Sequence, residues 1–358
     1  MSDYSWIYNL KKEVPDFLAK LKGIKRPGFY HYSLSGDLFG ENIKWGLGNA
    51  VFFLKIIYTL GLEDHYRAEI AAVIGFVKSF QKKNGEISDP LVNLLASPGR
   101  FLAALRNWDN EEIFGAETKR AETRQAFSAL ELFGAKPEYG YRNIPRDRAA
   151  VGEYLARLDW TVPWGAGSHF SHLLFFLKRG DLPDREELIT FAIEWVNGLQ
   201  HPENGFWYQG EPEISQKING AMKIISGLIA ADRVDFKFAD KIIDNCLAAK
   251  NDRHACDNFN IVYALKYCRQ VLRSDYRAEE IREFMIDRLA IYRKYYHAEA
   301  GGFSFNPTRP KKTYYGAFID RGLPEPDIHG TVLFLWGIAV IAQVLGIDSE
   351  LGFREFIT

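Results

Sequence analysis

Helical periodicity runs through almost the whole chain, and the alternation typical of strands is scarce. One kind of helix is apolar on one face and charged on the other, a pattern typical of helices that cover a core. "YRAEEIREFMIDRLAIYRKYY", at 276–296, shows this most clearly. Outer helices of this kind are predicted at about 5–22, 66–83, 147–158, 185–199, 235–250 and 276–296.

A second kind of helix is apolar nearly all the way round, and such a helix must be buried on all sides. Inner helices of this kind are predicted at about 45–61, 120–134, 166–179, 216–231, 257–273 and 327–345. The strict alternation of the two kinds predicts an all-α fold. We expect an (α/α)6 toroid of six outer–inner helical hairpins, forming a single domain over residues 1–358.

Two long connections interrupt this alternation. The segment 84–117 is expected to hold an extra short helix, and 297–326 is a long loop rich in Gly, Pro and aromatic residues. In a toroid the inner helices are parallel, so all their N-termini lie at one rim. Because the N-terminal end of a helix dipole is positive, a pocket at that rim favours anions and carboxylates.

Composition narrows the classes of partner. The chain has 45 basic and 46 acidic residues and a formal net charge of -1, which argues against nucleic acid or an anionic membrane as the main partner. Three cysteines, Cys246, Cys256 and Cys268, are too few and too irregularly spaced for a disulfide framework. The first residues lack a signal-peptide pattern, so we expect a cytoplasmic location.

The most apolar run, "TVLFLWGIAVIAQVLG" at 331–346, is shorter than the roughly 20 residues that span a bilayer. It is therefore predicted to be a buried helix, and no integral membrane segment is expected. At its start, Asp327 and His329 allow two interpretations. Asp327 could cap the helix, or it could orient and charge His329 as an acid–base pair.

Polar residues also lie near the starts of four other inner helices. Each set has an ordinary structural explanation, such as capping, solvated charge or a salt bridge, beside a functional one. On the functional interpretation, Asp257 and His169 join Asp327 and His329 as catalytic candidates. The substrate-binding candidates are Glu122, Arg124, Trp164, His172, Trp207, Tyr208, Lys217, Asn219 and Lys223. Together they predict a polar and aromatic pocket for a small-molecule or glycan ligand.

The turns after three outer helices, "FQKKNGEIS", "LQHPENGFW" and "YHAEAGGFSFNP", resemble the Gln-x-x-x-Gly-x-Trp repeats of the squalene/terpenoid cyclase and protein prenyltransferase superfamily. "AETRQAFSALELFGAKP" resembles an inner-helix start of that superfamily, and "GGFSFNP…PDIHGTVLFLWGIAVIAQVLG" resembles its last repeat. The match covers most of the chain as architecture. The Asp-x-Asp-Asp acid motif of the cyclases and the Asp-Asp-x-x-Asp magnesium motif are not present.

The resemblance implies an enzyme that acts on an isoprenoid in a central cavity. It also implies a zinc alternative, because Asp327-Ile328-His329 occupies the position of an Asp-x-Cys zinc motif, with Cys256 and Asp257 on the preceding inner helix. With no fourth ligand evident, no metal or cofactor is predicted. Two other functions stay open: a carbohydrate-active hydrolase, lyase or epimerase that uses His and carboxylate pairs, and a toroid that binds a ligand without catalysis.

Overall fold

The computed structural model describes residues 4–107 and 115–358, and the side chains of 99–107 are not described. Contacts divide the chain into two compact units. Unit 1 comprises Met1–Gly140, Leu289–Ala339 and Asp348–Phe356, and unit 2 comprises Tyr141–Arg288, Val340–Ile347 and Ile357–Thr358. The single domain expected over residues 1–358 stays a prediction.

The described helices alternate between the two predicted kinds. In chain order they are α1 Leu10–Leu21, α2 Leu47–Leu60, α3 Arg67–Lys78, α4 Pro90–Asn107, α5 Ala116–Glu131, α6 Arg148–Arg157, α7 Pro163–Arg179, α8 Arg185–Asn197, α9 Ile214–Ala230, α10 Ala239–Ala248, α11 Ala255–Leu272, α12 Ala278–Arg293, α13 Ile328–Leu345 and α14 Asp348–Leu351. The outer helices are α1, α3, α6, α8, α10 and α12, and the inner helices are α2, α5, α7, α9, α11 and α13. The predicted all-α fold of alternating helices is confirmed.

Burial explains the apolar composition of the inner helices. In α2 every residue except Tyr58 is buried. In unit 2, α7 and α9 approach so closely that a Cβ on Gly220 would lie 2.8 Å from the carbonyl oxygen of Pro163, and one on Gly227 would lie 2.8 Å from Cα of Ser171. The first of these contacts joins one helix start to the other, so α7 and α9 run parallel, as the inner helices were expected to do.

Helix α4 is the main addition to the predicted pattern. The segment 84–117 holds a helix of 18 residues rather than a short one, and its residues 108–114 lie outside the described part of the chain. Asp89 stabilises the start of α4, because its Oδ1 accepts hydrogen bonds from the N–H groups of Leu91 and Val92 at 3.0 and 3.3 Å.

The turns that follow the outer helices share one geometry. Gln200 donates from Nε2 to the carbonyl oxygens of Gly205 and Lys237, at 2.9 and 2.6 Å. Gln81 donates in the same way to Gly85 and Tyr139, at 3.3 and 2.7 Å. The glutamines of these repeats therefore tie each turn to the chain segment ahead of the next outer helix.

The loop predicted at 297–326 contains two short antiparallel hairpins at its start and centre. Strand β1 (Tyr296–His297) pairs with β2 (Gly302–Phe303), with Tyr296 opposite Phe303. Strand β3 (Thr313–Tyr314) pairs with β4 (Ala317–Phe318), with Thr313 opposite Phe318. The two-residue turn of the second hairpin, Tyr315 and Gly316, has positive φ at both positions. Such a turn matches the twist of the strands and fixes the direction of Tyr314.

Helix α13 is long and apolar enough to cross a membrane when judged by length and composition alone. However, 78% of it is buried inside the protein, as in a core helix. Its apolar surface is therefore used for packing within the fold.

Candidate functional site

Asp327 caps α13 and also holds the preceding loop. Its carboxyl group is fully buried, with Oδ1 accepting from the N–H of Gly330 and Oδ2 from the N–H of Phe305, both at 2.7 Å. Burial raises the pKa of Asp327 to about 8, while the two N–H donors act in the opposite direction. Both oxygens are thus engaged by the backbone, and the capping interpretation describes this residue.

Other carboxylates of unit 1 fasten the segment 30–37 to the loop before α13. Asp320 accepts from the Ser33 hydroxyl at 2.5 Å, and Glu325 accepts from the N–H groups of Ser35 and Gly36 at 3.0 and 2.7 Å. Asp37 lies 2.9 Å from Nδ1 of His31, and this contact raises the pKa of His31. These groups serve to hold loops together.

His329 lies in an aromatic environment rather than beside Asp327. Its ring stacks on Phe52 at a centroid distance of 4.7 Å and an interplanar angle of 9°. Phe305 lies 4.8 Å away, and Tyr314 lies edge-on at 6.0 Å and 90°. The imidazole is half-buried, so it keeps access to solvent at the N-terminal end of α13.

Glu122 and Asp89 form a pair of neighbouring carboxylates in the same unit. Glu122 is 2% exposed, and its Oε2 accepts from the N–H of Asp89 at 3.1 Å and from Nδ2 of Asn93 at 3.2 Å. Asp89 joins two helices, because Oδ2 accepts from the N–H groups of Gly46 and Leu47, at 2.8 and 3.2 Å, while Oδ1 caps α4. Burial raises the pKa of Asp89, against the effect of these four donors.

Tyr314, at the end of β3, connects these groups. Its ring packs against Gly48 so closely that a Cβ there would lie 2.8 Å from the phenol oxygen. Burial raises the pKa of Tyr314 well above its ordinary value, and the charges of Tyr315, Glu122 and Asp89 raise it further. The phenol therefore lies at the start of α2, next to the backbone that Asp89 binds, and its ring is edge-on to His329.

Asp89 and Tyr314 are not among the residues selected from the sequence. Asp89 precedes a helix that was expected to be short, and Tyr314 belongs to a loop expected to have no regular structure. A signal was present for Asp89, since Ser-Asp-Pro is typical of a helix start. Arg124 is predicted as a substrate-binding residue, and it is 2% exposed within α5. Glu122 and Arg124 are thus not solvated charges.

In unit 2, Asp257 belongs to a buried amide network. Its side chain is fully buried. The carboxylate accepts hydrogen bonds from Nδ2 of Asn219 at 2.7 Å and from Nε of Arg253 at 3.1 Å. Asn260 and Asn251 both donate to Oδ1 of Asn219, at 2.9 and 3.3 Å. The network joins the starts of α9 and α11, and this structural use accounts for both Asp257 and Asn219.

The two histidines of α7 lie together, as their spacing predicts. The rings of His169 and His172 are 5.6 Å apart and nearly perpendicular, and Nε2 of His172 is 3.4 Å from the Ser168 hydroxyl. Trp164 stacks on His254 at 6.0 Å. His254 in turn caps α11, because its Nδ1 accepts from the N–H of Asp257.

The remaining candidates divide between core and surface. Trp207 is fully buried and donates to Oδ1 of Asn197 at 3.4 Å, so it is a core residue. Tyr208 is stacked on His201 at 4.0 Å, and the ammonium group of Lys217 lies over its ring at 4.3 Å. Lys223 is half-buried in α9.

The zinc alternative lacks a ligand cluster. Within residues 4–107 and 115–358, which include Cys256, Asp327 and His329, no group of three or more His, Cys, Asp or Glu side chains is arranged to hold a metal ion. The Asp327 oxygens are instead occupied by backbone N–H groups. The donor set therefore does not fit a prenyltransferase-like zinc site.

Comparison with known proteins gave matches among solved structures alone, since no family model and no curated protein sequence matches the chain. One match is a family 76 glycoside hydrolase from a bovine Bacteroides thetaiotaomicron strain, with 10% identity, a TM-score of 0.46, and coverage of 95% of this chain and 79% of that chain. Another is a family 76 α-mannanase from Bacteroides thetaiotaomicron, with 11% identity, a TM-score of 0.41, and coverage of 98% and 97%. Family 76 glycoside hydrolases are (α/α)6 toroids, the fold class predicted for this chain.

The isoprenoid function implied by the resemblance is wrong. The similar solved structures are described as glycoside hydrolases and not as cyclases or prenyltransferases. Two of the turns that suggested the superfamily have a structural use, because Gln81 and Gln200 bind the chain segment ahead of the next outer helix. Such turns follow from the helical-hairpin architecture and do not specify a substrate.

Proposed function

We propose that the chain is a carbohydrate-active enzyme whose site is formed in unit 1 by Glu122, Tyr314 and His329. The observation that supports this most directly is the position of Tyr314, whose phenol packs on Gly48 beside the backbone that Asp89 binds and whose ring is edge-on to His329. Aromatic faces beside carboxylates suit a sugar, which presents apolar C–H faces and polar hydroxyl groups.

Glu122 is the residue best suited to transfer a proton. Its carboxyl is 2% exposed, and Oε2 accepts from the N–H of Asp89 and from Nδ2 of Asn93, so it lies beside a second carboxylate. In hydrolysis of a glycoside, a protonated carboxyl donates to the leaving oxygen while a second carboxylate acts on the opposite face of the sugar. Asp89 is the neighbouring carboxylate, and His329 could bind a sugar hydroxyl.

The test is to incubate the purified chain with a panel of glycans. Turnover is measured as the release of reducing ends, and the products are identified by mass spectrometry. The panel includes α-mannan, the substrate class named for one similar structure. Glu122→Gln keeps the size of the side chain and should lower kcat about 100-fold or more. Glu131→Gln, at the exposed end of the same helix, is the matched control and should keep full activity.

A second candidate is a protein that binds a glycan without turnover. Two of the carboxylates predicted to be catalytic have structural uses, because Asp327 caps α13 and Asp257 belongs to the amide network. This observation favours binding without catalysis. Under this candidate, calorimetry detects glycan binding but no product forms. If the chain neither binds nor converts any glycan in the panel, both candidates are wrong.

The expected cytoplasmic location also stays a proposal. Fractionation of cells that express the native gene, with detection of the full-length chain, would test it.

A further inference from the structure

A pocket lined by cations lies in unit 2, apart from the residues proposed for catalysis. Lys266, Arg269 and Arg273 are spaced three and seven residues apart along α11 and its C-cap, which places them on one helix face. The pocket has a volume of about 410 Å³. Its lining residues are Lys266, Arg269, Gln270, Arg273, Ser274, Asp275, Gln343 and Val344.

The two arginines of this pocket are unpaired within the part of the chain that the structure describes. Neither Arg269 nor Arg273 makes an ion pair or a side-chain hydrogen bond there, although Asp275 lines the same pocket. Other arginines of unit 2 do make such contacts. Arg277, only four residues further on, binds Asp244 at 2.8 Å and also Glu280. Unpaired guanidinium groups beside an available carboxylate indicate a site that is kept open.

The helix dipole explains part of this arrangement. Arg269 is in the last turn of α11, where the negative end of the dipole favours a cation. The dipole does not favour three cations on one face, because like charges three or four residues apart repel each other. A bound anion would remove that repulsion, and Gln270, Gln343 and Ser274 would supply neutral donors around it.

We propose that this pocket binds the phosphoryl group of a small phosphorylated compound. The forked guanidinium donates two parallel hydrogen bonds to phosphate oxygens, and the two positive charges of Arg269 and Arg273 match the charge of a phosphate monoester. The volume lies within the usual range for small-molecule sites, so the pocket has room for a group attached to the phosphate. The site is independent of the carbohydrate function proposed for unit 1.

Isothermal titration calorimetry of the full-length chain would test the proposal, with inorganic phosphate, a hexose 6-phosphate and the free hexose as titrants at constant ionic strength. Phosphate and the hexose phosphate should bind, and the free hexose should not bind at this pocket. Arg269→Gln and Arg273→Gln should each weaken phosphate binding about tenfold or more. Tighter binding of the hexose phosphate than of phosphate would identify an organic phosphate as the ligand, and equal binding would identify free phosphate.

Arg293→Gln is the matched control. Arg293 is an exposed arginine in the last turn of α12, so it shares the dipole environment of Arg269 without lining the pocket. This variant should bind phosphate as the native chain does. The proposal is overturned if phosphate gives no more binding heat than chloride, or if Arg293→Gln weakens binding as much as Arg269→Gln does. Circular dichroism of each variant would show that the helices are retained.

Discussion

At the residue scale, the buried carboxylates differ in what their oxygen atoms bind. Asp327 and Asp89 accept N–H donors at helix starts, and Asp257 accepts from a side-chain amide and a guanidinium. Such bonds offset the cost of burying a polar group. In unit 1, Oε2 of Glu122 accepts from the N–H of Asp89 and from Nδ2 of Asn93, and this pair of neighbouring carboxylates supports the catalytic proposal.

The buried carboxyl of Asp327 leads to a prediction about stability and pH. Folding raises its pKa from 3.8 to about 8, so the folded chain holds this proton more tightly than the unfolded chain does. The free energy of unfolding should therefore decrease as pH rises from 3.8 to about 8, by on the order of 6 kcal/mol from this group. Urea unfolding at a series of pH values would measure the decrease.

Asp327→Asn isolates this contribution, because the amide does not titrate. The variant should be less stable at low pH, since an Nδ2 donor would face the N–H of either Gly330 or Phe305. Its stability should depend less steeply on pH than that of the native chain. Parallel pH profiles for the two proteins would show that Asp327 does not take part.

At the element scale, the fold depends on close turns between outer helices as much as on the apolar helices. Gly205 has φ of +77°, and a Cβ there would lie 2.5 Å from the carbonyl oxygen of Phe238, the residue before α10. Gly301 has φ of +82°, and its Cβ would lie 2.4 Å from the carbonyl oxygen of Glu13 in α1. Both turns contact the next outer helix through backbone, which cannot move aside.

Gly205→Ala should therefore destabilise the protein by about 2–4 kcal/mol, from the left-handed conformation and the backbone clash together. Gly134→Ala is the matched control, because Gly134 has φ of +66° but no atom within 4 Å of the added Cβ. It should cost about 1 kcal/mol. Thermal or urea unfolding would measure the loss of stability in each variant. Equal losses of stability in the two variants would show that the backbone clash does not destabilise Gly205→Ala.

The length of α4 shows where prediction at this scale fails. Its sequence contains the triplet "SPG" at 97–99, which favours a break, yet the helix continues from Pro90 to Asn107. Hairpin β3–β4 packs on α4, with Gly316 next to Ala96. Contacts made by residues more than 200 positions away cannot be inferred from the local periodicity of the segment.

At the scale of the whole molecule, charge balance is the property that the sequence defines most directly. The formal net charge is -1 at pH 7 when the eight histidines are counted as neutral. Near neutral pH the molecules repel each other weakly, so solubility should be lowest there.

Solubility should rise at about pH 5.5, where histidines gain charge, and at about pH 9, where the net charge becomes more negative. The midpoint of precipitation by polyethylene glycol, measured across this range, would test the prediction. A minimum that lies well outside neutral pH would contradict it.

The sequence by itself determined the two kinds of helix, their alternation and the turns that follow the outer helices. These features depend on residues a few positions apart, and such periodicity is a local property of the chain. Tertiary structure decided which partners each polar side chain at the helix starts binds. Glu122, Asp89 and Tyr314 are distant in sequence and meet because a buried polar group must find its partners wherever the fold brings them.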